Sequence, residues 1–174
     1  MRPVAEAKSF TRLGGMAFGL AALVIVVDQL VKAWILGGLG LQTLGSVPFL
    51  GPIRLTMVWN QGVSFGLLRA DHDAVRWALT GFSLVVALVL GWWARSSTRP
   101  LMGLGLGLVM GGAIGNAIDR FRFGAVVDFV DVTQLMFPWV FNVADSAICV
   151  GVACLLLDSV RKEPAAAAPD SPAT

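Results

Sequence analysis

The chain has 174 residues, a net charge of +2, 56% hydrophobic and 14% charged residues, and a mean hydropathy of +0.77. Soluble domains carry about 45–50% apolar and about 25% charged residues, so the composition excludes a disordered chain and argues strongly against a water-soluble one. The small net charge, without any Lys/Arg-rich run, argues against nucleic acid as a partner. Two cysteines in one apolar segment build no disulfide framework, and with a single histidine neither a zinc site nor a cofactor is expected.

A hydrocarbon layer ~30 Å thick takes about 20 apolar residues in a helix. Four stretches qualify, at residues 14–36, 77–94, 101–118 and 138–157. The first lacks a small-residue cleavage site after its core and reads as a retained signal anchor. Arg2, Lys8 and Arg12 precede it, Arg95 and Arg99 fill the short loop after the second span, and Arg161 and Lys162 follow the fourth. The positive-inside rule then puts both termini in the cytoplasm, with Trp77, Trp92 and Trp93 as interfacial anchors. The other side carries the long connections 37–76 and 119–137, and the partial alternation of residues 53–59 (IRLTMVW) suits a small sheet on the membrane. The expected fold is an all-α membrane protein: one domain over 1–162 with four transmembrane helices and a small extracytoplasmic β-containing element. The segment 163–174 reads as a disordered cytoplasmic tail.

A charge near mid-bilayer costs ~2.5–3.5 kcal/mol, so each one asks for a function. Asp28 and Lys32 stand four apart, acid first, the favourable order for a helical ion pair. They are expected to neutralise each other, with Lys32 snorkelling outward. Gly111, Gly112 and Gly115 permit close helix contact. Asn116, Asp119 and Arg120 beyond them read as an interfacial polar cap in which Arg120 pairs an acid. Asp128, set among Val126, Val127, Phe129 and Val130, reads as a half-buried loop acid, and Asp131 as a solvated one. Pro138 suits a helix start. Asp145 would then lie seven residues inside the last span, roughly 10 Å below the outer boundary, with Asn142 on the same face.

Asp128 and Asp145 thus approach one region from a loop and from a helix. Two adjacent carboxyls cannot both ionise and share one proton. One then activates water while the other polarises a carbonyl, a route to peptide hydrolysis needing neither metal nor serine. Spacing alone leaves a proton pathway open. Residues 62–66 (GVSFG) formally match a serine-hydrolase elbow, but the base would be His72 in a charged outer loop. Ser64 reads as a packing residue and His72 as solvent-exposed. A proton-coupled transporter built on Asp28, Lys32 and Asp145 should carry internal repeats, which the sequence lacks. Cys149 and Cys154 read as apolar packing residues.

Five segments occur in order: DQLVK at 28–32, NQGVSFG at 60–66, GNAIDR at 115–120, VVDF at 126–129 and FNVAD at 141–145. In these the chain resembles the bacterial lipoprotein signal peptidases, or signal peptidase II. The resemblance implies an intramembrane aspartyl endopeptidase of the bacterial inner membrane, with its site toward the outer leaflet. It would cleave diacylglyceryl-modified prolipoproteins before the modified Cys, surrounded by membrane lipid and functional as a monomer. Asp128 and Asp145 correspond to the family's catalytic pair. Asn60, Asn116, Arg120 and Asn142 match positions that line the site or hold the substrate backbone, and Asp28, Lys32 and Asp119 match supporting positions. The family often has two small residues before the Phe of the Asn60 motif. Here they are Val63 and Ser64, a departure that bears on substrate preference.

Overall fold

The computed structural model describes residues 10–62 and 73–161. Ser64, His72, Arg2, Lys8, Lys162 and the segment 163–174 lie outside them. Helix α1 (Arg12–Ala33) runs on through a π-helical turn (Trp34–Gly38) into the short α2 (Leu41–Leu44) and the strands β1 (Ser46–Leu50) and β2 (Ile53–Asn60). Helices α3 (Asp73–Ala94) and α4 (Pro100–Phe123) follow, then β3 (Val126–Asp131), β4 (Val140–Phe141) and α5 (Val143–Val160). Among the described residues, α1 with its π turn, α3, α4 and α5 are the four helices long and apolar enough to cross a membrane.

Helix α4 is the hub. Of its apolar window 67% is buried, against 17–28% for the other three, and each of those packs mainly on α4. Its glycines make this possible. A Cβ at Gly107 would stand 2.6 Å from the Ala17 carbonyl oxygen of α1, and one at Gly105 2.8 Å from the Gly151 carbonyl oxygen of α5. Small residues of this kind let helix backbones approach in lipid. The end of the bundle at the start of α1 is tied by Thr11, whose Oγ1 donates to the Ser97 carbonyl at 2.6 Å and accepts from Gly14 N–H. Arg99 pairs with Asp158 there at 2.6 Å.

Three helix bounds differ from the sequence reading by four residues or more. Helix α3 begins at Asp73, four residues early, with an acid in its first turn, where the helix dipole favours one. Helix α4 continues five residues past 118, because Arg76 donates to the carbonyls of Arg120 (2.7 Å) and Phe121 (2.8 Å). Gly124 then ends it at φ 80°, a left-handed cap that glycine adopts without a Cβ clash. Helix α5 begins at Val143 and not at Pro138, since residues 140–141 are spent pairing with β3. Asp145 therefore lies in the first turn of its helix, not seven residues down.

The four strands form an antiparallel sheet in the order β1-β2-β3-β4. Ile35, Leu41, Leu55, Val127 and Phe129 bury its underside against the end of α1. Between the pairs Leu55↔Val130 and Val58↔Asp128 the register slips by one residue. An unbroken ladder from Leu55↔Val130 would set Asn60 opposite Ala125, on the face away from Asp128. One extra residue turns Asn60 to the face of Asp128, because side-chain direction alternates with period two.

Candidate active site

Asp128 is buried, 1% exposed, in the middle of β3, which corrects the reading of a half-buried loop acid. Asn60 Nδ2 donates to its Oδ2 at 2.9 Å and Asn142 Nδ2 to its Oδ1 at 2.7 Å. Burial first, and then the nearby Asp145 charge, push its carboxyl up to about 7, against the opposing pull of the two amides. A buried carboxylate beside another acid holds its proton for these two reasons.

Asp145 is the third residue of α5 and closes a capping box with Asn142. Its backbone N–H donates to Asn142 Oδ1 at 2.9 Å, and the Asn142 N–H donates back to Asp145 Oδ2 at 3.2 Å. An acid at this third helical position suits the capping box, and among the described residues Asp145 has no ion-pair partner. Asn116 Nδ2 donates to its Oδ1 at 2.8 Å.

Donors fix the orientation of every amide here. Asn142 Oδ1 faces a backbone N–H, so its NH2 must face Asp128 and Asn116 Oδ1 (3.1 Å). Asn116 Oδ1 also faces the Lys32 ammonium at 3.4 Å, which turns its NH2 to Asp145. Asn60 Oδ1 accepts from Gly62 N–H at 3.1 Å, which turns its NH2 to Asp128. An ammonium and a backbone N–H have no acceptor to offer, so none of the three amides can flip. All four carboxylate oxygens of the pair thus accept an N–H.

Behind the pair lies a buried ion cluster. Lys32, 2% exposed, reaches Asp28 at 2.8 Å and Asp119 at 2.7 Å, and both acids are fully buried. Lys32 does not snorkel, because two carboxylates hold it inward. Asp28 Oδ1 accepts from Ala144 N–H at 2.9 Å and Asp119 Oδ2 from Val127 N–H at 3.1 Å. The cluster therefore joins α1 and α4 to β3 and to the first turn of α5. Gly115 leaves room for it, since a Cβ there would stand 2.9 Å from Asp28 Oδ2. Gln29 Nε2 donates to Asp28 (3.1 Å) and Asp119 (2.9 Å), and its own oxygen accepts from Arg122 at 3.2 Å. Sequence reasoning passed over Gln29. Its signal was an amide inside a membrane span, next to an acid.

Arg120 forms no close ion pair among the described residues, since Lys32 takes Asp119; its Nε is buried without a hydrogen-bond partner there, and its guanidinium feels the charges of Asp145, Asp128 and Asp119. Asp131 is not a solvated loop acid. It ends β3, 8% exposed, accepting from Thr56 Oγ1 (2.6 Å) and from Thr133 Oγ1 (2.6 Å) and N–H (2.9 Å). The Thr133 and Thr56 hydrogen bonds hold its carboxyl below the usual range.

Asn60, Asp128 and Asp145 open onto a groove of about 630 Å³ whose other walls include Trp139, Phe141 and Val150. Cys149 is exposed on this groove rather than packed, whereas Cys154 is buried. Two carboxyls, one inclined to hold a proton near neutrality, can divide base and acid work on a polar bond laid between them.

The chain is similar to known proteins in sequence and in fold. Residues 20–161 match the family described as Signal peptidase (SPase) II. The Lipoprotein signal peptidase of Caulobacter vibrioides is 58% identical over 156 residues, 89% of this chain and 92% of the relative. That of Rhodopseudomonas palustris is 44% identical over 163 residues, 91% and 98%. Two solved bacterial membrane enzymes share the fold. One has a TM-score of 0.69 at 27% identity, covering 90% of this chain and 95% of its own. The other has a TM-score of 0.72 at 24% identity, covering 91% and 100%. A four-helix membrane bundle matched to that family over most of its length is a membrane protease, and the chain belongs to the signal peptidase II family.

Proposed function

We propose that this chain is an intramembrane aspartyl endopeptidase that removes the signal peptide from prolipoproteins, cutting before a diacylglyceryl-modified Cys. The carrying observation is the pair Asp128 and Asp145 on one groove, both held by Asn142. The relatives' name supplies the substrate class.

The two carboxyls share one proton. The ionised member takes a proton from water as the water oxygen attacks the scissile carbonyl, and the protonated member gives its proton to the carbonyl oxygen. The tetrahedral intermediate then collapses: the C–N bond breaks, the gem-diol returns a proton to one carboxylate, and the other delivers its proton to the leaving amine. The pair ends with the one proton it began with. The aligned amides hold both acids in place through these transfers. Asn60, on the groove, and Arg120, beside Asn116 at the head of a neighbouring groove, offer N–H groups to the substrate backbone. An extended peptide in lipid needs such partners.

The active-site end faces the outer leaflet of the bacterial inner membrane, both termini are cytoplasmic, and the monomer suffices. Reporter fusions at Ser97 and Asp71 should report opposite compartments, and the same compartment for both would remove this topology. Mass spectrometry of the products tests the reaction. A diacylglyceryl-Cys peptide should yield a fragment starting at the modified Cys, and its unmodified counterpart should stay whole. Cleavage at another bond, or equal cleavage of both peptides, would overturn the assignment.

A further inference from the structure

Helices α1 and α3 both lean on α4, and they touch where Thr11 and Gly14 meet the Arg95 carbonyl. Beyond that point a trench of about 750 Å³ lies between them, floored by small or flexible residues: Ala21, Ala87, Gly91 and Met110. Arg95 is the charged residue on its lining, at the end by the start of α1, with its guanidinium 3.3 Å from the Trp92 ring centroid. The carboxylate pair lies at the other end of the bundle, by the end of α1 and the start of α5.

We propose that this trench is a binding site for an anionic phospholipid, with an acyl chain along the floor and its phosphate on Arg95. The walls lie in membrane-spanning helices, so hydrocarbon must fill the trench, and a trench between apolar helices offers a chain more contact than a flat helix face does. A Trp at this depth marks the interface, where phosphates sit. The charge selects the occupant. Arg12 stands by Arg95 at this end, since it follows Thr11, whose N–H donates to the Arg95 carbonyl, whereas Arg99 is taken up by Asp158. A signal peptide begins with basic residues and would meet like charge there, and a second parallel copy of this chain would bring its own Arg95 to the same level. An anionic headgroup meets opposite charge.

The test uses the full chain in detergent, with phosphatidylglycerol or phosphatidylcholine of the same acyl chains added and retention read by native mass spectrometry. Phosphatidylglycerol should be retained at one per chain and raise the melting temperature more than phosphatidylcholine does. Arg95→Gln should cut phosphatidylglycerol retention about fivefold, the equivalent of about 1 kcal/mol for one basic residue at an anionic interface, and leave phosphatidylcholine unchanged. Gly91→Leu should abolish retention of both. A Cβ there meets Met110 Sδ at 3.4 Å and Phe18 Cε1 at 3.5 Å, ordinary contacts, so the leucine fills the trench. If Gly91→Leu fails to fold, Arg95→Gln carries the test alone. Equal retention of both lipids by the unaltered protein, unchanged phosphatidylglycerol retention in Arg95→Gln, or a dimer that covers the trench would overturn the proposal.

Discussion

Asn142 and Asp145 cap one another: the Asp145 N–H meets Asn142 Oδ1 at 2.9 Å and the Asn142 N–H meets Asp145 Oδ2 at 3.2 Å. Asn142 thereby starts α5, aims Asp145, and has its NH2 left over for Asp128. Helix capping and alignment of the acid pair are one structural event.

Asn142→Ala should therefore lose twice. Removing an Asn cap costs about 0.5–2 kcal/mol, to be read in thermal melts, and removing one positioned donor from a reacting centre costs about 10²–10³ in turnover. Asn142→Asp separates the two effects. It keeps the cap acceptor but sets a third carboxylate against Asp128, so it should keep more stability than the alanine variant and be equally inactive.

Lys32 carries the buried cluster. Lys32→Met leaves Asp28 and Asp119 unneutralised, and breaking a buried pair costs about 3–5 kcal/mol, so the single variant should be poorly folded. Adding Asp28→Asn restores the charge balance of the cluster, and its melting temperature should recover. Turnover should recover only in part, since Asn116 keeps the Asn142 NH2 on its Oδ1 but loses the ammonium that shares it. A single variant as stable as the unaltered protein would remove the cluster from the account.

The raised carboxyl of Asp128 makes a signed pH prediction. Its proton leaves near 7 in the folded protein and near 3.8 otherwise, so the folded state binds it more tightly between those values. Stability relative to Asp128→Asn should fall as pH rises from about 4 to about 7, by up to about 1.4 kcal/mol per unit, and be flat below 4. Catalysis should fall in the same direction above about 7, as the shared proton is lost. Melting curves of both proteins and kcat/KM against pH measure these slopes.

The four spans were legible because lipid demands long apolar helices, and the acids stood out because lipid makes them costly. Of the features that were not legible, three show the physical reasons. Pro138 reads as a helix start, but pairing of Val140 and Phe141 with β3 delays the helix to Val143. The strand around Asp128 reads as a loop, because a strand buried on both faces lacks polar alternation. Lys32 reads as a snorkelling lysine, because its second acid, Asp119, lies 87 residues away in sequence and meets it only in the fold.

The most direct measurement is cleavage of a diacylglyceryl-Cys peptide by Asp128→Asn and Asp145→Asn at matched amounts of folded protein. An amide keeps the size of a carboxyl but carries no proton to share, so each variant should be inactive, and the double variant hardly worse, because the pair acts as a unit. Asp131→Asn is the control: Asp131 accepts from Thr56 and Thr133, whose hydroxyls can also accept, and its variant should keep most activity. Loss of turnover in both members of the pair with retention in Asp131→Asn is the predicted result. Near-normal turnover by either the Asp128 or the Asp145 variant would contradict it.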